Sequence, residues 1–184
     1  MKINQPEGAM ELLFEQLGSA LIAQLHGKET LALSFSAESS QFMRFNGSRI
    51  RQSGMVDEIA LSLELIHRQR QASVSFSLSG HRETDLLRAQ AELEQLRGEV
   101  RELPEDPYLV MPVAGQFSHS DQHASLLSPA QAAEKLLPAM QGLDLSGLWS
   151  SGRIYQGHMN SAGSRHWFAS DSYVLDYSLL STDE

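Results

Sequence analysis

Apolar residues recur along this 184-residue chain with two different periods, and the switches between them outline its elements. From Pro6 to Leu25, Met10, Leu13, Phe14, Leu17, Leu21 and Leu25 follow steps of three and four, which predicts an amphipathic helix. Gly27 stands where a left-handed residue would end it. The period then drops to two. Leu31, Leu33, Phe35 and Ala37 alternate with Ala32, Ser34 and Ser36, predicting a strand with one buried and one polar face. Gln41 to Phe45 and Ser48 to Ser53 read as the arms of a hairpin around Asn46-Gly47, because a two-residue type I′ turn needs positive φ at both central residues. A longer strand is predicted from Met55 to Ile66, with Ile59, Leu61, Leu63 and Leu65 on one side. Val74, Phe76 and Leu78 alternate with serines in another, closed by Gly80. The longer period returns over Thr84 to Leu103, where Leu86, Ala89, Leu93, Leu96, Val100 and Leu103 predict a helix lying on the sheet. Gly98 weakens its last turn by about 1 kcal/mol relative to Ala.

The run Leu103-Pro104-Glu105-Asp106-Pro107-Tyr108 ends that helix, since proline removes a donor and pushes its predecessor out of the α region. No clear period follows until Leu127. Ser128-Pro129-Ala130-Gln131 has the grammar of a helix start, with an N-cap serine, proline at N1 and glutamine at N3. That helix is expected to reach Met140 and stop near Gly142. Strands are expected from Leu145 to Tyr155, Ser164 to Ala169 and Tyr173 to Leu180. The order α-ββββ-α, linker, α-βββ argues an α+β fold with a mostly antiparallel sheet and packed helices. Two lobes are expected, residues 1–103 and 128–184, with 104–127 as the linker. A shift of 116 positions carries Ser48-Arg49 onto Ser164-Arg165, and Ile59, Leu61 and Leu63 onto Leu175, Tyr177 and Leu179. Asn160-Ser161-Ala162-Gly163-Ser164-Arg165 thus echoes the first hairpin and suggests an internal duplication.

A hydrophobic content of 41% supports a packed core rather than disorder. No apolar run is long enough to span a bilayer, and the first residues carry no secretory h-region. The chain has no cysteine, which removes disulfides, thiolate zinc sites and a cysteine nucleophile and suits a cytoplasmic protein. With a net charge of −9, direct nucleic-acid binding is not expected. The local basic concentrations are Arg44, Arg49 and Arg51, and His67-Arg68-Gln69-Arg70, and solvated strand faces account for both.

His119 and His123 would lie one turn apart on a helix, the spacing of zinc peptidases, with Asp121 as a third ligand. Ser120 stands where those enzymes carry the general-base glutamate, and no helix is predicted there, so a polar loop explains the pair as well. His158 and His166 flank the second hairpin and read as turn histidines. There is no Gly-x-Ser-x-Gly elbow, P-loop, dinucleotide fingerprint or aromatic RNA-binding strand. Glu38 and Glu64 lack partners for paired-carboxylate catalysis. Trp149, Tyr155, Trp167, Phe168, Tyr173 and Tyr177 make the second lobe aromatic, which serves sheet packing or a docking surface.

Several segments in the same order resemble the TldD/PmbA family. They are Glu38 with Phe42-Met43-Arg44-Phe45-Asn46 and Arg51-Gln52, then Leu96-Arg97 and Leu103-Pro104-Glu105-Asp106-Pro107-Tyr108. Tyr155-Gln156-Gly157, Asn160-Ser161-Ala162-Gly163, Trp167 and Leu175-Asp176-Tyr177-Ser178-Leu179 complete the set, which is most similar to a TldD-related subgroup. The resemblance implies an α+β N-terminal region of a larger zinc-dependent peptidase, a group also described as DNA gyrase modulators. It places the zinc site in a following C-terminal region, on a His-Glu-x-x-x-His helix plus a cysteine. This sequence has neither, so no catalytic residue and no cofactor is assigned to it, and it is expected to be inactive alone.

The expected role is a non-catalytic N-terminal module that helps form a chamber, controls substrate access and contributes to a homo- or hetero-dimer. Small or unfolded peptides are the expected substrate. Candidate contact residues are Arg44, Asn46, Arg49, Arg51, Asn160, Arg165 and Trp167. The alternatives are a stand-alone protein- or peptide-binding module, including a gyrase-modulating role, and a small metalloenzyme built on His119, Asp121 and His123.

Overall fold

The computed structural model describes residues 8–112 and 114–180; the predicted helix start at Pro6 lies outside them. Helix α1 (Ala9–Ile22) buries the predicted face, with Met10, Leu13, Phe14, Leu17 and Leu21 turned inward. It ends five residues before Gly27, whose φ of +56° instead turns the chain into the first strand. Helix α2 (Arg82–Glu102) is anchored at its start by Asp85, a buried carboxylate. Asp85 accepts hydrogen bonds from the Ser79 amide at 2.7 Å, the Ser79 hydroxyl at 2.8 Å and the Gly80 amide at 2.9 Å. Near the other end, buried Arg97 reaches Glu29 at 3.0 Å and also donates to Glu94 and the Gln24 carbonyl. This residue of the family-like Leu96-Arg97 pair therefore ties α2 to the loop after α1. Helix α3 (Pro129–Ala139) starts with the predicted capping box: the Ser128 hydroxyl accepts from the Gln131 amide, and the Gln131 side chain accepts from the Ser128 amide.

Six strands form one sheet: β1 (Thr30–Asn46), β2 (Arg49–His67), β3 (Arg70–Ser77), β4 (Phe117–Gln122), β5 (Asp144–Asn160) and β6 (Arg165–Leu180), in spatial order β3-β2-β1-β5-β6-β4. The α+β class and the mostly antiparallel pairing are as expected, with β4 joining β6 in parallel. The strand count differs. Each predicted hairpin arm continues its neighbouring strand, so three strands precede α2 and two follow α3. Residues 104–127 contribute a strand, β4, which aperiodic polar residues concealed. The first hairpin turns at Gly47-Ser48 rather than Asn46-Gly47, with φ of +55° and +60°. A bulge at Arg44/Phe45 explains the slip: Arg44 pairs with Gln52 and Phe45 with Ile50, leaving Arg51 extra. Arg68 and Gln69 make the β2–β3 turn, also at positive φ and without the usual glycine or asparagine.

All three helices cover one face. Odd-numbered residues of β1 and β5 point to it through an unbroken register. α1 and α2 enclose Leu31, Leu33, Phe35, Leu61, Leu63, Leu65, Leu93 and Leu96, with Met159 and Trp167 joining from β5 and β6. α3 closes a smaller cluster of Met43, Phe45, Ala132, Met140, Leu145 and Trp149 at the far end. The predicted echo has a spatial counterpart. β1 and β5 are antiparallel neighbours; Asn46 ends β1 beside Ser146, and Asn160 ends β5 beside Ala32. The units α1-β1-β2 and α3-β5-β6 thus lie head to tail, with their hairpins at opposite ends of the central strand pair. The opposite, helix-free face presents Ser34, Ser36, Ser62, Ser75, Ser118, His158 and His166.

Candidate functional site

The seven predicted contact residues divide between the two hairpin ends. Asn46 and Ala32, the partner of Asn160, are 14 residues apart on β1, roughly 46 Å at strand rise. At the first end, Arg44, Asn46 and Arg51 line a groove of about 420 Å³ with Ser146, Leu148, Asp176, Tyr177 and Ser178. Arg44 stacks over Phe42 at 5.9 Å, and Arg49, paired with Asn46, is exposed at the tip. This groove holds two guanidinium groups beside one carboxylate. At the second end, Asn160 is buried and shapes its own turn, its side-chain oxygen accepting from the Ser164 amide at 3.1 Å. Trp167 is also buried, within 6.2 Å of Phe14, 5.8 Å of Phe35 and 6.1 Å of Tyr155. Trp167 still contributes to the lining of two grooves at this end. Arg165 is exposed beside a groove of about 320 Å³ between α1 and β4.

His119 lies on β4 and His123 just past its end, so a strand replaces the helical turn that would have joined them. Residues four apart on a strand are separated by about 13 Å. Each imidazole has its own carboxylate partner: His119 meets Glu11 at 3.2 Å, and His123 lies 3.3 Å from Asp121 and 3.6 Å from Asp171. Arg153 bridges Asp121 and Asp171, the latter at 3.0 Å. Burial raises the Asp171 carboxyl pKa, but the Ala124 amide and Arg153 outweigh it and hold the group below the ordinary range. The arrangement is an ion-pair network that fastens β4 to β5 and β6. Among the described residues no group of three or more His, Cys, Asp or Glu could hold a metal ion.

The two histidines that flank the second hairpin are not in its turn but face each other across β5 and β6. Ser34, His158, His166 and Ser118 form one row across β1, β5, β6 and β4. The rings stand with centroids 6.2 Å apart. Their Nδ1 atoms are hydrogen-bonded outward, His158 to the Ser34 hydroxyl at 3.4 Å and His166 to the Ser118 hydroxyl at 2.8 Å. Burial, then the neighbouring His166, pushes the His158 pKa down and favours its neutral form. With Ser36, Gln156 and Phe168, the row lines a groove of about 430 Å³. The signal was available in principle: closing the Asn160–Ser164 turn puts residues 158 and 166 opposite one another.

A third feature is the outer half of β6. β4 covers β6 from Arg165 to Ser170, and among the described residues no strand pairs with its outer side beyond Ser170. Tyr173, Val174, Leu175, Tyr177, Leu179 and Leu180 are all exposed there. Lysine, proline and bulges, which usually blunt such an edge, are absent from this segment.

This combination, a helix-backed sheet with an open polar face and, among the described residues, an uncovered apolar edge, defines an α+β module. No protein-family profile matches the sequence, and no curated protein is significantly similar to it. The fold recurs in solved structures. TldE from Thermococcus kodakarensis matches 93% of this chain with a TM-score of 0.65 at 13% identity. A proposed modulator of DNA gyrase from Bacteroides thetaiotaomicron matches 97% with 0.61 at 14% identity, and one from Thermotoga maritima 90% with 0.56 at 9%. These matches occupy 42%, 42% and 38% of the three solved chains, so this chain spans about two-fifths of their length. The chain has the fold of part of TldD/PmbA-type proteins, in line with the resemblance seen in its sequence.

Proposed function

We propose that this chain is the non-catalytic N-terminal module of a TldD/PmbA-type zinc metallopeptidase acting on small or unfolded peptides. The fold likeness supports this, since nearly the whole chain matches about two-fifths of longer proteins. The observation that carries it is the uncovered edge and face of β6 from Asp171 to Leu180. An extended peptide adding to this edge gains main-chain hydrogen bonds whatever its sequence, and selectivity comes from alternate side chains. Tyr173, Leu175, Tyr177 and Leu179 would receive apolar side chains on the helix-bearing face. Arg44 and Arg51 lie in the same groove as Tyr177 and would attract a carboxylate. The same surface suits contact with a related subunit, consistent with a role in chamber formation, substrate access and dimerisation.

The catalytic zinc of such a protein does not fit this chain. There is no cysteine and no His-Glu pair, and the two histidines with the nearest spacing are engaged with separate carboxylates. No step of peptide hydrolysis is therefore assigned to these residues; their part is to bind and orient. A stand-alone peptide-binding module would use the same edge. Direct DNA binding is disfavoured by the net charge of −9. No helix among the described residues is long and apolar enough to cross a membrane.

The test is a polarisation titration with a labelled, unstructured peptide of about ten residues, enough to span a strand edge. Saturable binding without cleavage, weakened about tenfold by Tyr177→Lys with Leu179→Lys, supports the proposal. Cleavage by the zinc-supplemented chain alone, or binding indifferent to both substitutions, refutes it.

A further inference from the structure

We propose that His158 and His166 form a two-imidazole site for a divalent transition-metal ion on the helix-free face of the sheet. This site is separate from the zinc region expected elsewhere in a longer peptidase, and it does not depend on that reading. The two residues are direct cross-strand neighbours on β5 and β6, so one backbone register fixes their spacing. Both outer nitrogens are already used: Nδ1 of His158 by Ser34, and Nδ1 of His166 by Ser118. Those serines belong to the flanking strands, β1 and β4, and pull the two Nδ1 atoms away from each other. Among the described residues neither Nε2 has a hydrogen-bond partner, and both histidines line the same groove.

An imidazole that donates Nδ1–H to an oxygen presents its Nε2 lone pair to a metal, and the outer hydrogen bond fixes tautomer and orientation. Each serine oxygen can accept that bond. Zinc–nitrogen bonds of about 2.0–2.1 Å at tetrahedral angles put two ligand nitrogens roughly 3.4 Å apart. Rings with centroids 6.2 Å apart meet that spacing by turning their Nε2 edges toward one another. Imidazole selects zinc, copper and nickel over magnesium or calcium. With two protein ligands, the remaining positions open into the groove lined by Gln156 and Phe168 and are left to water or to a ligand lying there.

The experiment is calorimetric titration of the 184-residue chain with zinc chloride, paired with nitrogen-15 NMR of its seven imidazoles. The expected result is saturable binding of one zinc per chain, with coordination shifts at Nε2 of His158 and His166. His158→Gln or His166→Gln abolishes this binding, and Ser118→Ala weakens it by about tenfold, the scale of an outer-shell loss. His119→Gln and His123→Gln leave it unchanged. Absence of saturable binding overturns the proposal, as do coordination shifts confined to other histidines. The NMR readout on the unsubstituted chain decides the matter even if a glutamine variant fails to fold.

Discussion

Ile59, Leu61 and Leu63 on β2 have counterparts in Leu175, Tyr177 and Leu179 on β6, yet the two sets meet opposite fates. The β2 residues are 7%, 0% and 0% exposed; those on β6 are 39%, 58% and 54%. Both strands follow a helix and a central strand, and both alternate apolar and polar residues. What differs is their cover. β2 has β3 along its outer edge and α2 across its face, and among the described residues β6 has neither beyond Ser170. An alternating pattern specifies a strand with one face to hide, but the element that hides it must come from elsewhere. Among the described residues the outer half of β6 lacks such an element, and the proposed docking of another polypeptide rests on that difference.

The largest effect expected inside the covered unit comes from Arg97→Ala. It strands the Glu29 carboxylate, whose side chain is 7% exposed, and should cost about 3–5 kcal/mol in urea unfolding. Arg153→Ala, in the better solvated second unit, should cost much less. Leu61→Ala should cost about 2–5 kcal/mol, whereas Leu179→Ala stays within about 0.5 kcal/mol. Equal costs would mean that β6 is as well covered as β2. Gly157→Ala tests the junction between the units. Its added Cβ would lie 2.5 Å from the Phe14 ring and 3.1 Å from Trp167, and overpacking of this kind costs about 1–3 kcal/mol.

Acid should weaken the fold in two stages. Burial and His166 lower the folded pKa of His158, so below about pH 6.5 the unfolded chain binds a proton that the folded chain resists, and stability falls. Glu29 and Asp171 follow. Burial raises both carboxyls, but Arg97 for Glu29, and the Ala124 amide with Arg153 for Asp171, lower them further. Their contribution is complete above the ordinary carboxylate range near pH 4 and is lost as pH falls through the depressed values. Unfolding midpoints from pH 8 to 3 should show both stages, with Glu29→Gln removing more of the second than Asp171→Asn. The smallest expected effect is a gain. Gln69→Gly relieves a left-handed backbone and should add up to about 1 kcal/mol.

Much of this fold was legible in the sequence because its signals are local. The spacing of Met10, Leu13, Phe14 and Leu17 fixed the inward face of α1, and Ser128-Pro129-Ala130-Gln131 marked the start of α3. β4 was not legible, since Phe117-Ser118-His119-Ser120-Asp121-Gln122 has no apolar alternation and is held by pairing with β6 and by Arg153. The β2–β3 turn was equally hidden, because Arg68 and Gln69 are poor turn formers held at positive φ by the strands around them. Residue type alone did not show that tertiary packing buries Asn160 and Trp167. The His158–His166 pair required a register that only the closed hairpin supplies.

The most direct test of the docking account is hydrogen exchange with and without an excess of an unstructured peptide. In the chain alone, outward amides of residues 173–180 should exchange rapidly while those of residues 60–66 stay protected by β1 and β3. Adding the peptide should slow exchange along 173–180 and leave β2 unchanged. Protection that is already complete there, or a peptide response confined to other segments, would mean that β6 is not the docking edge.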